Sequence, residues 1–126
     1  MRRVGGFTLI ELMMVVVIIG LLASVLIPRF AHTREKAFMA SMKADLRNLA
    51  TAEESYFYDY TSYTTNLGGL TSFRPSTGIT ITVNEATMGG WSATASHSNT
   101  PRLCYLFVGN ASPVGAATVE GQVACS

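Results

Sequence analysis

The sequence predicts an α+β chain: one long N-terminal helix packed on a small antiparallel sheet of three to four strands. Three observations carry this. The stretch from Leu12 to Ile27 holds no charged residue, although 13% of the chain is charged. Beyond Pro28 the apolar residues continue at helical spacing, now mixed with charge. The second half carries short runs rich in Thr, Ile and Val, separated by turns containing Gly, Asn and Pro. A length of 126 residues suits one compact domain.

The chain starts Met1-Arg2-Arg3-Val4-Gly5-Gly6, followed by Phe7-Thr8-Leu9-Ile10-Glu11-Leu12 and an apolar run to Ile27. One helix is expected from about Thr8 to about Tyr58. From Phe7 to Ile27 it is long enough to span a bilayer, at about 1.5 Å per residue. A cleaved secretory signal is the first alternative, but the small pair Ala23-Ser24 is followed by Val25-Leu26-Ile27-Pro28, so the apolar run continues. A plain membrane anchor is the second. Glu11 fits neither, because an unpaired carboxylate at that depth costs roughly 2.5–3.5 kcal/mol. The apolar run holds no Lys, Arg or His to pair with it. A cut after Gly6 would free the α-amino group of Phe7, one helical turn away, on the same chain or a neighbour. Pro28 has no amide hydrogen to give the Ser24 carbonyl, and Gly20 is a second weak point. The stretch between them either loses helical pairing outside the membrane or kinks.

After Pro28, Phe38, Met42, Leu46, Leu49 and Phe57 form a stripe that should bury against the sheet. Arg34, Lys36, Lys43, Asp45, Arg47 and Glu54 are assigned mainly to other faces, and Ala37, Ala40 and Ala44 allow close packing. The helix should give way near Asp59-Tyr60-Thr61-Ser62, leading to a loop from Tyr63 to Thr77. Strands are expected at Ile79–Val83, Trp91–Ala95 and Leu103–Val108, with a weaker one from Val119 to Cys125. The two cysteines, Cys104 and Cys125, follow a membrane segment and an export signal, which suggests one disulfide; two buried thiols are the alternative. A bridge would tie the last strand to its neighbour.

The sequence shows no catalytic constellation, and no enzyme activity, cofactor or metal is expected. His32 and His97 lie far apart with no ligand cluster at metal spacing. Glu53 and Glu54 are adjacent, so they point to different sides of a helix. Gly68-Gly69 and Gly89-Gly90 lack a phosphate-loop pattern. The net charge of +1 gives no global footprint for nucleic acid. The basic group Arg29, Arg34, Lys36, Lys43 and Arg47 is read as a solvated or inter-subunit helix face rather than a contact for DNA or lipid phosphates.

The stretch Gly6-Phe7-Thr8-Leu9-Ile10-Glu11-Leu12 resembles the processing site of type IV prepilins and type II secretion pseudopilins. The resemblance continues through Gly20 and Pro28 to about Tyr63, nearly half the chain, and includes Asp45-Leu46-Arg47-Asn48-Leu49. Further on, only the late cysteine pair matches the pilin pattern. The resemblance implies a leader at 1–6 removed by prepilin peptidase, with Phe7 then N-methylated, a membrane and filament-core helix at 7–28, and an exported domain at 29–126. It implies a precursor in the inner membrane and a homo-oligomeric helical filament on the surface. An assembly platform and ATPase motor would build it, with Phe7 and Glu11 acting in assembly and Gly20 and Pro28 weakening the helix. The function implied is a pilus subunit for adhesion, motility or DNA uptake, with a secretion pseudopilin as the alternative. The cysteine pair tilts the reading toward a pilus. Two further alternatives are an electron-carrying filament, from the aromatics Tyr56, Phe57, Tyr58, Tyr60 and Tyr63, and an anchored domain that never polymerises.

Overall fold

The computed structural model describes residue 1 and residues 5–126; the basic pair Arg2-Arg3 of the expected leader lies outside the described residues. The elements are a helix α1 (Leu9–Tyr60), a short 3-10 turn (Leu67–Gly69), and strands β1 (Ile79–Ala86), β2 (Gly90–His97), β3 (Thr100–Gly109) and β4 (Ala124–Cys125). They fall into two compact units, Met1–Arg34 and Glu35–Ser126.

In the first unit α1 stays helical through Gly20 and Pro28. Proline removes one donor without forbidding helical dihedrals at its own position, so the helix loses a bond there and continues on both sides. Ser24 donates its hydroxyl to the Leu21 carbonyl at 2.7 Å. A Cβ added at Gly20 would meet nothing within 4 Å, so no contact among the described residues demands glycine there.

In the second unit the strands form an antiparallel meander in the order β1-β2-β3-β4. Ile79, Ile81 and Val83 alternate with exposed Thr80 and Thr82, as a half-buried strand requires. Their neighbours on the same face are Ala95, Ala93 and Trp91 of β2, then Cys104 and Leu106 of β3. The helix covers this face with Met42, Leu46 and Leu49, all fully buried, and with Ala52. Burying each of the three large side chains stabilises the fold by about 1.5–3 kcal/mol. Phe38 and Phe57, expected in the same stripe, are only half-buried. They stack instead on His97 at 4.2 Å and on Tyr63 at 4.7 Å between ring centroids. The opposite sheet face carries a second cluster, Phe107 with Ala111 and Ala117, flanked by Tyr105, Val114 and Ala124.

Two further expectations change. Asp45 does not lie on an outer face: it is 2% exposed and takes the Ser76 N–H at 2.7 Å and the Ser76 hydroxyl at 2.8 Å. Its burial follows from satisfying a carboxylate with loop donors 31 residues away. The last strand also shrinks from Val119–Cys125 to Ala124–Cys125. Gly121 adopts φ 71°, a left-handed conformation that breaks an extended run. The 119–122 stretch turns there, with the Gln122 N–H on the Val119 carbonyl. The helix ends where Thr61 turns left-handed, φ 54°, and gives its N–H to the Phe57 carbonyl at 2.8 Å.

Candidate functional site

The site begins with the segment before the helix. Gly5, Gly6, Phe7 and Thr8 are non-helical and exposed, and α1 starts at Leu9. Phe7 is 86% exposed. A Cβ built on Gly6 meets nothing within 4 Å, so the Gly6–Phe7 bond is sterically open.

Glu11 lies in the first turn of α1, where the helix dipole and unpaired N–H groups favour a carboxylate. Its Oε2 accepts the Thr8 N–H at 2.8 Å and the Thr8 hydroxyl at 2.7 Å. Thr8 Oγ1 in turn accepts the Glu11 N–H at 3.3 Å. This is a reciprocal capping box, with Thr8 as N-cap and Glu11 three residues on. The pairing expected for Glu11 was the α-amine of Phe7, which exists only after cleavage. Thr8 is the partner that the sequence reading missed. Its signal was present: a Thr, two residues and a Glu opening an apolar run.

From Leu9 to Ile27, fifteen large apolar side chains stand exposed, between 48% at Val15 and 75% at Leu9. A soluble monomer rarely leaves a contiguous run of apolar side chains exposed in this way. The helix is long and apolar enough to cross a membrane. Glu11 is the one acidic residue among these side chains.

In the second unit Cys104 and Cys125 form a disulfide, opposite each other in the β3–β4 register. It closes a loop of sequence separation 21, a constraint worth about 3 kcal/mol through the unfolded chain. Glu53 is fully buried beneath the loop, and its Oε2 takes the Thr64 N–H at 3.1 Å. Burial pushes its carboxyl above the ordinary value of 4.5; the Thr64 hydrogen bond opposes this and the nearby Glu54 charge adds to it. Glu54 points outward and accepts the Tyr63 hydroxyl at 2.9 Å, so the two acids do diverge. Of the aromatics at the helix end, Tyr56 and Tyr63 pack against the core. His32 is exposed on the helix, and His97 ends β2. Among the described residues no group of three or more His, Cys, Asp or Glu is placed to hold a metal ion.

Residues 1–27 match the family described as the prokaryotic N-terminal methylation motif. The chain is 36% identical over 101 residues to the type IV wide pilus major component PilA4 of Thermus thermophilus, covering 78% of this chain and 77% of that one. It is 41% identical over 70 residues to type II secretion system core protein G of Klebsiella pneumoniae, covering 56% of this chain and half of that protein. To the type IV major pilin protein PilA of Myxococcus xanthus it is 44% identical over 61 residues, 48% of this chain and 28% of the relative.

Proposed function

The chain belongs to the type IV pilin family, and from that premise we propose that it is a structural subunit of a type IV pilus, with no catalytic activity of its own. The observation that carries the reading is Glu11, held by Thr8 at the head of an exposed apolar helix. The capping box would steady the helix start of a plain anchor too, but an anchor has no use for a charge carried among apolar side chains, where it is costly.

The leader 1–6 is removed by a prepilin peptidase, leaving the amine of Phe7, which is then methylated. Residues 7–28 hold the precursor in the inner membrane and later form the filament core, while 29–126 is exported. Assembly, by a platform and an ATPase motor, brings a subunit beside its predecessor. The Phe7 amine and the Glu11 carboxylate are opposite charges in an apolar surrounding, where attraction is weakly screened. Pairing them satisfies both groups, and a slip of one turn leaves both unpaired, so the pair sets axial register. Until then the Thr8 capping box supplies Glu11 with donors. The finished filament lies on the cell surface and serves adhesion, motility or DNA uptake.

A second reading, a secretion pseudopilin, has the similarity to core protein G in its favour. The disulfide between Cys104 and Cys125 favours the pilus. The test is Glu11→Ala as the sole subunit, with precursor cleavage, membrane level and sheared surface filament measured in the same cells. Cleavage and membrane level are expected to be normal and filament yield low. Normal filament yield refutes the register mechanism.

A further inference from the structure

Of the eight acidic residues, seven are engaged by a partner within the chain. Glu11 takes Thr8, Glu35 takes Arg102, Asp45 takes Ser76, Glu53 takes Thr64, Glu54 takes Tyr63, Glu85 takes Ser112 and Glu120 takes Gly109. Among the described residues the eighth, Asp59, has none. Its position is also unfavourable: it lies in the last turn of α1, which holds no basic residue. There the helix carbonyls carry partial negative charge and favour a cation. Asp59 lines a cleft of about 110 Å³ between the helix end and the loop after it, together with Ser55, Leu70 and Thr71. Tyr56 and Tyr60 form another wall, stacked at 4.4 Å, and Tyr60 is 63% exposed. A carboxylate, a helix C-terminus and the exposed Tyr60 ring together make a receptor for a cation, best a planar guanidinium.

The chain carries complementary groups. Among the described residues the one ion pair is Arg102 with Glu35, at 2.9 Å. Arg29, Arg34, Lys36, Lys43, Arg47 and Arg74 therefore have no acidic partner among the described residues. Of these, Arg47 is the exposed guanidinium on the part of α1 that belongs to the second unit, as Asp59 does. It precedes Asp59 by 12 residues on α1, which is about 18 Å along the axis and about 120° around it. Two charges on one straight helix, on different faces and at different heights, cannot meet each other. In copies packed side by side with an axial stagger they can. A contact between different faces is heterologous and propagates without closing, as an open helical filament needs.

Building on the pilus reading, we propose that the Asp59 cleft receives Arg47 of an adjacent copy, a second inter-subunit contact set in the exported half of α1. The test uses the full chain as sole subunit, comparing Asp59→Arg, Arg47→Asp and the double charge swap. Filament yield is read beside precursor cleavage, membrane level and the native Trp91 fluorescence of the detergent-extracted chain. Each single reversal should lower filament yield at least about tenfold, with cleavage, membrane level and fluorescence unchanged, and the double swap should restore most of it. Normal yield from either single variant overturns the contact, as does a double swap no better than the singles. Rescue of Asp59→Arg by Lys36→Asp or Lys43→Asp instead overturns the choice of Arg47. Rescue of Arg47→Asp by added calcium would put a metal ion in the cleft and overturn the guanidinium. Absence of filaments from the unaltered chain refutes the pilus reading itself, and is distinct from all of these.

Discussion

Asp45 ties the helix to the loop that precedes the sheet, and replacing it gives a measurable cost. Asp45→Ala removes the acceptor of two short hydrogen bonds, 2.7 Å from the Ser76 N–H and 2.8 Å from its hydroxyl. Hydrogen bonds to a charged group contribute about 1.5–3 kcal/mol each when buried. Ser76 is exposed, so water replaces part of what is lost, and the lower end of that range applies. Alanine recovers a few tenths of a kcal/mol, roughly, through helix propensity. The net expectation is a loss of about 2–3 kcal/mol. Asp45→Asn keeps an acceptor for the Ser76 N–H and should lose about 1 kcal/mol. The assay is urea unfolding of the oxidised, detergent-solubilised full chain, followed by the fluorescence of Trp91. This is the chain's single tryptophan, and it is fully buried. A double-mutant cycle with Ser76→Ala should show a coupling of about 1 kcal/mol or more. Asp45→Ala within about 0.5 kcal/mol of the parent would mean that the contact does not hold the loop, and the argument fails.

Glu53 should make stability depend on pH. Its native value is raised above the ordinary 4.5, so between those two values the folded chain binds more protons than the unfolded one. Stability therefore falls as pH rises through that window, and Glu53→Gln should remove this dependence. Urea midpoints of parent and variant that stay parallel across the window would count against it. Replacing both cysteines by serine should cost about 3 kcal/mol, and non-reducing peptide mapping should recover Cys104 joined to Cys125. Two alkylatable thiols in the exported protein would be the contrary outcome. Gly6→Leu meets open space, so the fold should be unchanged while unprocessed precursor accumulates. N-terminal mass analysis that finds Phe7 at the start of this variant would refute the need for glycine at the cut, and an intact Met1 on the assembled parent would refute the cleavage assignment.

The helix, the sheet and the disulfide were legible because their signals are local or countable. Met42, Leu46 and Leu49 recur at helical spacing, Ile79, Ile81 and Val83 alternate, and two cysteines allow one pairing. Asp45 was misplaced because charge alone points outward; its reason for facing inward is a donor in a distant loop. Glu53 is buried for the same kind of reason, beneath Thr64, 11 residues on. The length of β4 was overestimated because β-branched Val119 and Val123 flank Gly121, whose left-handed turn no pattern of apolar residues reveals. At the N-terminus Glu11 was found as an energetic anomaly, and Thr8, the group that relieves it, was not singled out, although the capping signal lay beside it.

The outermost strand, β1, has a consequence for crowding. It pairs on one side only, and its first five residues, Ile79-Thr80-Ile81-Thr82-Val83, carry high β-propensity with neither charge nor proline. Such a segment recruits other strands when many copies stand side by side. The bulge between Val83 and Glu85 breaks the flat edge after those five residues. Just beyond, Asn84 donates its side-chain amide to Thr94 at 2.8 Å, and Glu85 adds a charge at the rim. Edge-to-edge knitting into a cross-β aggregate is thereby cut short. A chain that we propose to polymerise through its helix can then be packed at high density without its sheets competing for the same neighbours.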